Sequence, residues 1–423
     1  DRKEARYKLW NLSLERGVVP SSINELYMAR GRGETPRDFT VPAMNLRGMA
    51  YDNARAVFMT AKKHNVGALI CELARSEMGY TDQPPGEYAS VIMAAALREG
   101  WVGPLFVQCD HFQAKAEAPG EPKNGEIETI KELVQEAISA GFYNVDIDMS
   151  TLVDYDRSTE AEQQESNINY SLELANFVRS LEPDGVTISL GGEVGHIGGD
   201  NTTMEEVSAY MEGFNKGLSE GMVGISKISI QTGTSHGGVV LADGTLAKVD
   251  VDFETLKAIS RGAREKYGLG GAVQHGASTL PEDYFGEFPK TETLEIHLAT
   301  GFQNIQMDHE AFPKDLLEKI YKWLDETKQD EKKEGQTDEQ FHYKLRKKGW
   351  GYFKKETWEM DETRREKIRN TLADRFEFMF KKLNVVGSAD LVREIVKPVK
   401  VAKNKQDFEV KTTSRKEVKG LSD

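Results

Sequence analysis

Short apolar runs alternate with stretches of helical period along most of this chain. FTVPAMN (39–45) leads into DNARAVFMTAKKH, VGALICELA (66–74) into EYASVIMAAALREG, and PLFVQCD (104–110) into IETIKELVQEAISAG. YNVDIDMS (143–150) precedes a helical pattern from about 160 to 182, and GVTISLGGEVG (185–195) precedes TMEEVSAYMEGFNKGL. SKISIQTG (226–233) precedes DFETLKAISRGAREKYG, GAVQHG (271–276) a helix near 281–300, and FQNIQMD (302–308) FPKDLLEKIYKWLDE. Runs that are apolar on both faces read as strands of a parallel sheet, because connecting helices cover both sides of such a sheet. Eight β-then-α units favour a closed (β/α)8 TIM barrel over an open doubly wound sheet.

The pattern also divides the chain. A single barrel domain is predicted over 1–390. DETKQDEKKEGQTDEQ opens a charged insertion near 326–350 and reads as a solvated helix end or mobile loop. KIRNTLADRFEFMFKKLNVV (367–386) returns to helical spacing and predicts a C-terminal helix within 362–386 packed on the barrel. Residues 391–423 read as a tail, polar and poorly ordered from Lys400.

Composition narrows the function classes. A net charge of −14 argues against nucleic acid or an anionic membrane as the partner. No run approaches the roughly 20 apolar residues of a membrane span, and residues 1–30 lack an apolar signal core. Cys71 and Cys109 both fall inside apolar runs and read as buried free thiols. The expected location is the cytoplasm.

The chemistry lies at the ends of the predicted strands, which is where β/α barrels place their active sites. Asn45, Asp110, His111, Asp148, Glu193, His236, His275 and Asp308 fall at or just past such ends. Three imidazoles and the Glu193 carboxylate suit one divalent cation with open positions. His196 reads either as a substitute ligand or as a loop residue. His64, His297 and His342 fall in predicted helices or the late segment and read as structural or exposed, and His309 adjoins a predicted strand end. Gly237-Gly238 after His236 and Gly276-Ala277-Ser278 after His275 suit either close backbone approach to an anion or a tight turn. Neither segment has the spacing of a nucleotide phosphate loop.

Several of these segments resemble the class II, metal-dependent ketose-bisphosphate aldolases, of which fructose-bisphosphate aldolase is the best known. The resemblance rests on DH at 110–111, GGEVGHIGG at 191–199, TGTSHGG at 232–238 and HGAS at 275–278. VPAMN (41–45), NVDIDMS (144–150) and ADRFEFMFKKLN (373–384) add to it, so it runs from about 38 to 386. It implies that His111, His236 and His275 hold a catalytic zinc, with Glu193 close by and Asp148 on an alternative metal position. It implies that Asp110 is the acid/base at the hydroxyl of the cleaved bond. Gly237, Gly276 and Ser278 would bind the phosphate of the dihydroxyacetone-phosphate half, and Asp308 would orient that end. Arg375 would reach a distal phosphate, commonly from a neighbouring subunit, which implies a homodimer or homotetramer. A monovalent cation near the phosphate is a further feature of the family. The implied activity is cleavage or condensation of a ketose (bis)phosphate through a metal-stabilised enediolate, and the implied small-molecule partner is a sugar phosphate.

Three positions depart from the family pattern. The asparagine of its eighth strand falls on Gln306, with Asn304 two residues earlier. Its acidic loop residue falls on Asn201, with Asp200, Glu205 and Glu206 as alternatives. Its strand-two serine has no clean match in ICELARSEMG, where Ser76 or Arg75 would have to serve. These departures leave open a different ketose, a sugar with one phosphate fewer, or epimerisation by retro-aldol cleavage and rejoining on the other face. A non-catalytic metal-binding barrel is a third alternative, against which the intact Asp110 and three histidines argue.

Overall fold

The computed structural model describes residues 1–195, 199–234, 241 and 251–408, so His196, His236 and Gly237 lie outside the described residues. Eight parallel strands close on themselves. They are β1 (Val41–Asn45), β2 (Ile70–Ala74), β3 (Gly103–Gln113), β4 (Asn144–Asp148), β5 (Ser189–Glu193), β6 (Lys227–Ile230), β7 (Ala272–Gln274) and β8 (Glu295–Leu298). β8 pairs with β1 from Glu295 opposite Val41 to Leu298 opposite Met44, which completes the ring. The fold is the (β/α)8 barrel that the alternating pattern predicts.

Amphipathic helices follow the strands. Helix Ala50–Lys63 follows β1, Pro85–Glu99 follows β2, Glu126–Ala140 follows β3, and Glu165–Ser180 follows β4. Met204–Gly217 follows β5 and Phe253–Tyr267 follows β6. Each turns an apolar stripe to the strands, and Ile130, Val134, Ala137 and Ile138 show the spacing on one of them. No described helix is long and apolar enough to cross a membrane.

The eighth unit differs from the sequence expectation. FQNIQMD is not a strand: Thr300–Met307 is a helix, and β8 lies earlier, inside the stretch expected to be helical. Phe302, Gln303, Gln306 and Met307 are buried, a helical spacing. A short apolar run does not separate the two periods by itself. β8 escapes detection because it reads Glu-Ile-His-Leu, with both polar residues buried. Between β7 and β8 the chain makes two short turns of 3-10 helix, Ala277–Thr279 and Glu282–Gly286, and the four-residue helix Glu287–Lys290.

The flanking segments support the barrel. An N-terminal helix, Arg2–Glu15, precedes a ninth strand, Val18–Ser21, that pairs with the start of β3. Helix Glu362–Lys382 lies on helix Ala50–Lys63, where Arg365 and Arg369 both pair with Asp52. In the charged insertion, Phe341 and Trp350 are buried. Trp350 lies so close to Gly48, in the loop after β1, that a methyl group there would overlap the indole. Within the described part of the tail, residues 401–408 are tied to the N-terminal helix. Phe408 is buried against Tyr7 and Trp10, and the Trp10 indole N–H donates to the Val401 carbonyl at 3.0 Å.

Candidate active site

Asp110 and His111 lie at the irregular part of β3. Cys109 is opposite Val145 on β4, but Phe112, three residues on, is opposite Ile147, only two residues on. One extra residue is therefore inserted in β3, a bulge of the kind that re-aims side chains near active sites. Neighbours on a regular strand point to opposite faces. Here both turn inward: the Asp110 carboxylate receives the Asn45 amide from β1 at 2.7 Å, and His111 reaches Asp148 at the end of β4.

The His111 contact fixes its ring. Nδ1 lies 3.1 Å from Asp148 Oδ2, which also accepts from Gln113 at 2.8 Å, while Asp148 Oδ1 accepts from the Ser150 hydroxyl and N–H at 2.6 and 3.0 Å. A carboxylate so held selects the tautomer with hydrogen on Nδ1 and directs Nε2 away as a ligand. His275, just past β7, stands with its ring 5.2 Å from that of His111. Its Nε2 is 3.6 Å from Glu193 Oε2, and its Nδ1 is 3.9 Å from Asp110 Oδ1.

These groups fit a divalent cation. Asp110, His111 and His275 bring ligand atoms within 4.8 Å of one another, as do His111, Asp148 and Glu193, and all five are buried. Glu193 Oε1 has no hydrogen-bond partner among the described residues. Burial pushes the Glu193 carboxyl well up and Asp148 adds to it, so a carboxylate there calls for positive charge. His111 shows the same demand. Burial opposes its imidazolium, yet Asp110 and Asp148 raise it to about 10. A cation bound here displaces such a proton.

The structure also brings in residues that sequence reasoning missed. His297, on β8, stands between the mouth and the barrel floor with its ring 4.2 Å from that of His275. Its Nδ1 is 2.7 Å from Asp110 Oδ1 and its Nε2 is 2.7 Å from Glu295 Oε1. Burial disfavours its imidazolium, but Glu72 and Asp110 outweigh that and raise it well above the usual histidine range. Asp110 responds in the opposite sense: burial pushes it up, and His111 and His297 hold it well below the usual carboxylate range. Beneath them Lys227 of β6, wholly buried, donates to Glu295 at 2.6 Å, to Gln108 at 2.8 Å and to Asp146 at 3.0 Å. Barrel interiors are usually layered with branched apolar side chains, whereas this one carries a polar floor. The legible signal was polar-apolar alternation in EIHL.

A second group lines the same mouth. Arg47, two residues past β1, pairs with Glu77 and donates to the Thr300 hydroxyl at 3.2 Å. Glu77 in turn accepts from Asn45 at 2.7 Å. Gly276 takes the left-handed conformation, with φ of 69°, and Ser278 Oγ accepts the Gly301 N–H at 3.1 Å. A side chain on Gly301 would strike the Ser278 carbonyl at 2.5 Å. Thr300 and Gly301 open the helix Thr300–Met307, so the end of dipole-positive N–H groups faces this rim.

Other expected site residues fall elsewhere. Gln306 is buried within the helix after β8, its amide 3.3 Å from the Phe302 carbonyl. It is not at a strand end, and neither is Asp308, which ends that helix and pairs with Arg346. Asn304 is tied to Tyr343 and Arg346, each at 2.8 Å. Asn201 is exposed in the loop after β5, 3.3 Å from Asp252. Arg375 lies against its own chain, 2.8 Å from Glu282 and over the rings of Phe285 and Phe378. Arg75 is paired with Glu126, and Glu206 caps the helix that begins at Met204.

Comparison with known proteins gives the family and the fold. The sequence profile of the family described as fructose-bisphosphate aldolase class-II matches residues 35–371. The fructose-bisphosphate aldolase of Campylobacter jejuni has the same fold, with a TM-score of 0.52 at 19% identity over 88% of this chain and 97% of that one. The fructuronate-tagaturonate epimerase of Cohnella laeviribosi superposes with a TM-score of 0.56 at 10% identity, covering 82% of each chain. Among curated proteins, none matches the sequence significantly.

Proposed function

Since this chain belongs to the class-II fructose-bisphosphate aldolase family, we propose that it is a zinc-dependent lyase. Its substrate is a ketose phosphate, which it cleaves to dihydroxyacetone phosphate and an aldehyde, or forms from them. The observation that carries this reading is the β3 bulge, which sets Asp110 beside His111 and faces both toward His275 and Glu193. His111 and His275, with His236 from outside the described residues and Glu193 nearby, would hold the ion. Bound there, a divalent cation supplies Lewis-acid polarisation of the ketose oxygens, with no need for a Schiff-base lysine.

The protein's own groups do the rest. Asp110 accepts the proton of the hydroxyl on the departing aldehyde half and returns it in the condensation direction. Asn45 holds one oxygen of that carboxylate at 2.7 Å. Gly276, Ser278 and the N-terminus of helix Thr300–Met307 form the anion rim that receives the phosphate, and Arg47 adds a buried guanidinium at its edge. Burial of this cluster excludes water from the proton transfer. The two buried free cysteines suit work in a reducing cytoplasm.

Epimerisation is the second reading. It uses the same groups, with rejoining on the other face after retro-aldol cleavage, and the pairing of Arg375 with Glu282 points in either reaction to a substrate with one phosphate fewer. The test is a screen of phosphorylated and free ketoses with the purified protein, following triose release and epimer formation together. Triose release that chelator abolishes and zinc restores supports the lyase. Epimer without free triose supports the second reading, and inertness toward every ketose with bound metal overturns both.

A further inference from the structure

We infer that His297 is a positioning residue for Asp110, clamped between that carboxylate and Glu295 so that the proton-transfer group keeps one orientation in the mouth. The inference rests on the reading of Asp110 as the acid/base.

Both ring nitrogens of His297 face carboxylate oxygens at 2.7 Å, Nδ1 toward Asp110 Oδ1 and Nε2 toward Glu295 Oε1. Each nitrogen therefore donates, and the ring has no second orientation that keeps both bonds. Asp110 is held on its other side as well, because Oδ2 accepts from Asn45 at 2.7 Å. The two donors come from β8 and β1, the strands that close the barrel, so the plane of the carboxylate is set by rigid backbone.

The far end of the clamp is equally fixed. Glu295 accepts from Lys227 at 2.6 Å, from Gln108 at 3.0 Å and from the Tyr27 hydroxyl. A line of charge-assisted bonds thus runs from the floor of the barrel through Glu295 and His297 to Asp110. A histidine that merely filled the interior would need neither carboxylate. This arrangement places it where a small rotation of Asp110 would misalign the proton it exchanges.

The two nitrogens can be tested separately. Asparagine carries its amide nitrogen near the place of imidazole Nδ1, whereas glutamine reaches the place of Nε2. His297→Asn preserves the bond to Asp110 and loses the one to Glu295, and His297→Gln does the reverse. Expected for His297→Gln is a fall in kcat of about 10²-fold, the cost of a misplaced reacting group, with KM little changed. His297→Asn should stay within about 10-fold of wild type. Both should purify with wild-type metal content. Crystal structures of the two variants supply a readout independent of turnover: Asp110 keeps its plane in His297→Asn and rotates in His297→Gln. Equal losses in the two variants, or an unmoved Asp110 in His297→Gln, would overturn the inference. If the wild-type protein cleaves no ketose, the proposed function fails, and the crystal structures still decide whether residue 297 positions Asp110.

Discussion

Asp110 and His111 are adjacent in the chain and face the same interior, because one residue is inserted in β3 relative to β4 between Cys109 and Phe112. Two groups to which the proposed function gives different tasks, a proton carrier and a ligand, thereby stand side by side without a loop between them. Each has its own partner. Asn45 reaches Asp110, and Asp148 reaches His111.

That division separates the roles by mutation. Asp110→Asn should keep the metal and lower kcat by roughly 10²- to 10⁴-fold, the range for a general acid–base group. Metal analysis beside steady-state kinetics is the check. Loss of metal in this variant would make Asp110 a ligand.

His111→Ala and His275→Ala should each lose the metal and the activity while the barrel stays folded. Asp148→Asn tests the support behind His111. Loss of such a partner typically costs 10- to 100-fold in metal affinity or activity, by about the magnitude seen at other metal sites. Competition with a chelator of known affinity measures it, and unchanged affinity would remove Asp148 from the design.

The anion rim predicts a split between two arginines. Arg47, buried beside Thr300, should matter for a phosphate bound at Ser278: Arg47→Lys, which keeps charge but loses the planar fork, should raise KM for a phosphorylated ketose and leave the unphosphorylated sugar unaffected. Ser278→Ala should act in the same direction. Arg375→Ala should leave KM for a monophosphate near wild type, since Arg375 is occupied by Glu282. A rise in KM confined to bisphosphates in that variant would assign it to the distal phosphate.

The polar floor predicts an acid limit to stability. Burial alone would push Glu295 up, but Lys227 and His297 hold its carboxyl at about 2, against an ordinary value of 4.5. The sign follows from proton uptake: below pH 4.5 the unfolded chain takes up this proton and the folded one does not, so stability falls until pH nears 2. Asp146, raised to about 6 by burial despite Lys227, works against stability as pH rises from 3.8 through 6. Lys227→Met removes the cation that both share and should cost about 3–5 kcal/mol near neutral pH, the usual result of breaking a buried pair. Urea unfolding between pH 2 and 7 should also show a shallower acid decline in this variant. An unchanged slope would mean that Lys227 does not hold Glu295 ionised.

Local pattern alone determined much of this protein. Seven strands, the helices after the first six and the closed barrel were legible because strands buried on both faces need continuous apolar runs, and because a barrel puts strand ends on one rim. Asn45, Asp110, His111, Asp148, Glu193 and His275 follow from that rule, each at the end of a run that reads correctly. Tertiary structure alone decided that the polar residues of the eighth strand are buried, and all that depends on it. Glu295 and His297 alternate with Ile296 and Leu298, and in sequence such charges signal a solvated face. They are buried because Lys227, more than sixty residues away, and Asp110, almost two hundred away, neutralise them across the barrel. Charge pairing across a closed sheet leaves no trace in local periodicity, and that is why Gln306 and Asp308 were expected where His297 stands.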